Sequence, residues 1–79
     1  MASLDEAVNM LENQDWQAAH AILQSDSSRL ACWAHGIVHL MEGDRSNAAY
    51  WYGRADRELS DSSDIERELS KLKAEIACS

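Results

Sequence analysis

The sequence predicts an all-α protein of about five antiparallel helices. Three observations carry that expectation. The 79-residue chain has no proline and only three glycines, which leaves few helix breakers. Its apolar residues recur at three- and four-residue spacing rather than alternating. Runs of β-branched residues, which favour strands, are missing. The same length implies a single helical domain over residues 1–79 with a thin stability margin. A chain this short buries only about 60–68% of the surface its unfolded form exposes.

The first helix is expected over 3–13. Ser3-x-x-Glu6 reads as a capping box, and Leu4, Ala7, Val8 and Leu11 follow on one stripe. Asn13-Gln14-Asp15 breaks the pattern, and Asp15 can cap a second helix over 15–24 that buries Trp16, Ala19, Ile22 and Leu23. A connection this short implies an antiparallel hairpin. Ser25-Asp26-Ser27-Ser28 turns the chain again. The third helix, over 28–42, is stopped by Gly43, and Asp44 caps a fourth over 44–59. Ala48, Tyr52, Ala55 and Leu59 share one face of that helix. Ser60-Asp61-Ser62-Ser63 ends it, and Ser63-x-x-Glu66 is a second capping box. The fifth helix, over 63–77, carries Ile65, Leu69, Leu72 and Ile76 in the narrow stripe of a helix lying against one neighbour.

Charge and cysteine content narrow the function. The formal net charge is −7, and residues 1–28 contain five acids with no lysine or arginine. Nucleic-acid binding depends on cations that neutralise phosphates, so nucleic acid is not an expected partner. No stretch approaches the ~20 apolar residues of a membrane span, and no secretory signal pattern opens the chain. Cys32 and Cys78 are too few for a disulfide framework. Both are expected as thiols in a cytoplasmic protein. The acidic first hairpin serves solubility or steers the protein toward a basic partner.

From Cys32 to Ser60 the residues resemble a tetratricopeptide repeat. Gly36-x2-His39, Gly43-Asp44 and Ala48-x3-Tyr52-x2-Ala55 follow that family's spacing of small and aromatic residues. The family's tryptophan, leucine, tyrosine and proline positions fall instead on Cys32, His35, His39 and Ser60. A fainter copy precedes it: Asp15, Ala19 and Leu23 stand 29 residues before Asp44, Ala48 and Tyr52, whereas a regular repeat has a period of 34. The resemblance implies two helical hairpins closed by a C-terminal capping helix, with a plain five-helix bundle as the rival. It also implies a binding module, in which small residues let helices approach closely and aromatics fill the space between hairpins.

Two groups of residues could carry chemistry or recognition. His35, His39 and Glu42 occupy one stripe of the third helix, opposite Leu30, Trp33, Ile37, Leu40 and Met41. With one buried face the histidines would meet solvent. With neighbours on both sides they would sit in a polar seam, which the repeat resemblance favours. Tyr52, Asn47, Arg54 and Asp56 are then the expected hydrogen-bond partners, and Glu42 could orient one ring. Two histidines one turn apart can also share a zinc-sized ion. The glutamate that follows the first histidine in zinc proteases is here Gly36, so a general base is missing from that motif. Cys32 is poorly aimed to help, and His20, Trp16 and Trp33 are expected at the core or its edge. On the fourth helix, Tyr50 and Trp51 with Arg54 and Arg57 have the composition of a recognition surface.

The function expected from these features is a small acidic protein–protein interaction module without cofactor or catalysis. It would bind a protein partner or itself, for instance as a homodimer. The alternative is a metal-binding or acid–base site on His35, His39 and Glu42.

Overall fold

Nine consecutive residues of one helix, Ala31 to His39, are buried in the computed structural model. An amphipathic surface helix cannot do this, because it buries only one stripe. Residues 4–59 and 64–78 are described. They form α1 (Leu4–Glu12), α2 (Trp16–Leu23), α3 (Arg29–Glu42), α4 (Arg45–Arg54) and α5 (Ile65–Cys78). The central helix is α3, which packs on all four of the others. The fold is therefore all-α with five helices, and both sides of α3 are covered. Among the described residues, no helix is long and apolar enough to cross a membrane.

Local chemistry sets most of the boundaries. Asp15, Ser28 and Asp44 accept the backbone N–H groups of Ala18, Ala31 and Asn47 and so cap α2, α3 and α4. Ser3 of the first expected capping box and Ser63 of the second lie outside the described residues, as do Ser60, Asp61 and Ser62 of the expected turn. At the start of α5, the carboxylate of Asp64 accepts the N–H of Glu66 at 3.0 Å.

Helix α3 ends as expected at Gly43, whose φ of 87° suits a residue without Cβ. The N–H of Asp44 then returns to the carbonyl of His39 at 2.8 Å. The expected end of the fourth helix at Leu59 is corrected to Arg54. Asp56 takes φ 60°, and the N–H groups of Asp56 and Arg57 bond back to the carbonyls of Gly53 and Tyr52. This paired closure normally uses glycine. Aspartate is one of the few other residues that tolerates the left-handed region, so the stop carries no obvious sequence mark.

The 29-residue correspondence has a physical counterpart. Gln14 and Gly43 both take positive φ at the turn, and Asp15 and Asp44 cap the helix that follows. Ala19 and Ala48 have no exposed surface, while Leu23 and Tyr52 retain 1% each. The α1–α2 and α3–α4 hairpins thus share one turn and the same buried positions. The chain comes closest at Gly36. A Cβ placed there would lie 2.4 Å and 2.6 Å from Cδ1 and Cε1 of Tyr52.

Helix α5 closes the core against α3 and α1 together, a correction to the single neighbour expected. Leu69 and Leu72 are buried, and Ile65 and Ile76 are half-buried. The same face buries Glu68, 7% exposed, which the apolar pattern did not mark. Its Oε1 accepts the Tyr52 hydroxyl at 2.7 Å and the Trp33 Nε1–H at 3.2 Å. Burial, followed by this hydrogen bond, raises the Tyr52 pKa well above its ordinary value, so the hydroxyl remains a donor. Lys71 pairs back to Glu68 at 3.7 Å. Glu68→Leu should destabilise the protein by about 2–5 kcal/mol in urea unfolding, because it strands two buried donors. Glu68→Gln keeps an acceptor and should lose far less.

Candidate functional site: a three-histidine cluster

His35 and His39 project from adjacent turns of α3 and are 5% and 8% exposed. Helix α2 runs beside them and contributes His20, which is half-buried. The ring centroids are separated by 4.7 Å for His20–His35, 5.1 Å for His35–His39 and 5.6 Å for His20–His39. One donor atom from each ring can be chosen so that all three lie within 4.8 Å of one another.

Each ring is held by a different device. Nδ1 of His39 is hydrogen-bonded to Oε1 of Glu42. Nδ1 of His20 meets the side-chain amide of Gln24, one turn later, at 3.0 Å. His35 lies flat against Trp51 of α4, with centroids 3.8 Å apart and planes 8° from parallel. At His39, donation of Nδ1–H to the Glu42 carboxylate leaves the Nε2 lone pair free for a metal. Metal-binding histidines are commonly oriented in this way, with the second nitrogen tied to an outer partner. Nδ1 of His20 instead accepts from the Gln24 amide, so Nε2 of His20 can ligate only once that amide turns its oxygen toward the ring.

Electrostatics keep His35 neutral at pH 7. Burial, followed by the fields of His20, His39 and Arg54, lowers the His35 pKa from 6.5 to about 4. Between those values an unfolded chain binds the proton and the folded one does not. Stability conferred by this group is therefore complete above pH 6.5 and declines as the pH falls toward 4. The metal-free protein should lose up to about 1.4 kcal/mol per pH unit across that window, measured by urea unfolding. His35→Gln should flatten the slope.

The arrangement revises the expected site in several respects. Glu42 stands behind His39 as its hydrogen-bond partner, and His20 completes the triad in its place. None of the four expected partners hydrogen-bonds to His35 or His39 among the described residues. Tyr52 is bonded to Glu68, Asn47 to Asp44 and Asp56 to Arg29, while Arg54 sits over Trp51, 5.0 Å from the ring centroid. Cys32 is buried with its Sγ 3.7 Å from the Ser27 carbonyl oxygen. Cys32 and Cys78 are both free thiols.

The structure brings together Tyr50, Trp51 and Arg54 but separates Arg57 from them. Tyr50 is 57% exposed and meets Trp51 edge-on at 5.2 Å. Arg57 covers Trp33 instead, 3.6 Å from its ring centroid. The residue missed by sequence reasoning is His20. A hairpin turning at Ser25–Ser28 brings the last turns of α2 level with the first turns of α3, and that symmetry was the available signal. The chain matches no protein-family model, no curated protein and no solved structure, so the geometry itself must carry a functional reading.

Proposed function

We propose that this protein binds a zinc-sized divalent cation through His20, His35 and His39. The observation that carries the reading is the spacing of three separately anchored imidazoles. Zn–N bonds of about 2.0–2.1 Å in a tetrahedral shell place imidazole centroids about 5 Å apart, and the three separations here bracket that value. Donor atoms in such a shell are about 3.3 Å apart, and here one from each ring lies within 4.8 Å of the others. A set of imidazoles without thiolate suits zinc, copper or nickel. The lowered pKa of His35 removes proton competition with a metal at that ring at pH 7.

Elemental analysis of protein purified without an affinity tag tests the reading. One zinc per chain is expected, falling to none in His20→Ala. His20 is half-buried and sits at the edge of the core, so the variant separates loss of metal from loss of fold. No bound metal in the wild type, together with unchanged melting in added zinc, would remove the reading.

A second reading is favoured by one further observation. On α4 the Tyr50–Trp51–Arg54 group presents the large aromatic and guanidinium chemistry that dominates protein interfaces. We read the paired hairpins as a tetratricopeptide-like interaction module, consistent with the close approach at Gly36 and in keeping with a cytoplasmic protein whose thiols are free. Tyr50→Ala should abolish self-association or partner binding in sedimentation without changing the melting temperature. Sedimentation of the wild type as a strict monomer under all loadings would weigh against self-association.

A further inference from the structure

The cation reading raises a question that the surroundings of the cluster answer: what occupies its fourth coordination position. Three further side chains that could ligate an ion each have a hydrogen-bond partner. Glu42 is bonded to Nδ1 of His39. The carboxylate of Asp44 accepts the Asn47 backbone N–H at 3.2 Å and its side-chain amide at 2.9 Å. Cys32 sits against the Ser27 carbonyl. On one flank Trp51 lies flat on His35 and closes the cluster.

The other flank is open. A cleft of about 210 Å³ runs along His20 and His39, walled by Trp16, Gln17, Val38 and Glu42. It has room for several water molecules, each of which takes about 30 Å³ in the liquid. Three neutral imidazoles leave a divalent ion with its full charge of +2. An anionic or strongly dipolar fourth ligand is then favoured, and three-histidine centres with such a position are of the catalytic rather than the closed structural type. Glu42 and Gln17 place a carboxylate and an amide on the cleft wall, both able to hydrogen-bond a coordinated water.

Resting on the metal reading, we propose that the cation keeps a fourth position open to the Trp16–Gln17–Glu42 cleft, exchangeable between water and small anions such as azide. The protein then holds a Lewis-acid centre that a small anionic ligand can reach from one side only. Trp51 shields the opposite side. The second acidic grouping, His39 with Glu42 and Asp44, shares His39 with the triad, and its carboxylates bond His39 and cap α4.

The full-length protein loaded with cobalt(II), whose visible bands report coordination geometry, provides the test. Azide should shift the cobalt bands saturably in the wild type. Gln17→Trp, at an exposed position on the cleft wall, should bind cobalt unchanged and lose the azide shift. Cobalt bands that azide does not move would overturn the open position while leaving the metal site intact. Failure of the wild type to bind cobalt or zinc would overturn the metal reading, and this proposal with it. An azide shift of full size in Gln17→Trp would place the open position away from the cleft and overturn the proposal as stated.

Discussion

Zinc at one hundred times its dissociation constant should raise the melting temperature by about 10–20 °C. Ligand binding to the folded state alone contributes about 2.7 kcal/mol at that ratio, and each kilocalorie moves the midpoint of a 60–100-residue domain by roughly 4–8 °C. The effect is large because the chain is small. His20, His35 and His39 come from two helices, so the ion ties α2 to the centre of the fold. The shift should vanish in His20→Ala, whose metal-free melting should stay close to that of the wild type. A full shift in His20→Ala would mean that the ion binds elsewhere, with the His39–Glu42–Asp44 group as the next donor set. Differential scanning calorimetry with and without zinc decides between these outcomes.

Gly36→Ala should destabilise the protein by about 3 kcal/mol, at the upper end of the usual range for overpacking a core. Replacing glycine by alanine normally helps a helix interior by up to about 1 kcal/mol, so the predicted sign is opposite to helix propensity. The reason is the new methyl group, which would enter the Tyr52 ring at 2.4 Å with the Ala48 carbonyl oxygen at 3.3 Å behind it. Tyr52 cannot swing aside cheaply. It is 1% exposed and its hydroxyl is bonded to buried Glu68. Thermal unfolding of Gly36→Ala should therefore show a fall of roughly 12–24 °C. A rise would show that α3 and α4 are not in the contact described.

Much of this architecture was legible in the sequence because its signals are local. Helix caps at Asp15 and Asp44, the turn at Ser25–Ser28 and the glycine stop at Gly43 depend on residues within a few positions of one another. The small-residue approach at Gly36 was legible only through the repeat resemblance of Gly36, Ala48, Tyr52 and Ala55. Glu68 was not, because a charged residue beside Leu69 reads as solvent-facing until Tyr52 and Trp33 are known to converge on it. The end of α4 was missed for a different reason: Asp56 performs a closure usually assigned to glycine. The candidate site was half legible. His35 and His39 stand out at helical spacing, whereas His20 joins them only through the packing of α2 on α3. Glu42, one turn after His39 on the same helix, takes the orienting role that the sequence offered beside that of a third ligand.

The central claim is that His20, His35 and His39 hold one cation together. X-ray absorption at the zinc edge of stoichiometrically loaded protein tests this most directly. The account predicts one zinc per chain with a first shell at about 2.0–2.1 Å and the outer scattering of three imidazole rings. A sulfur scatterer at about 2.3 Å, or a shell of oxygens with fewer than three imidazoles, would contradict it.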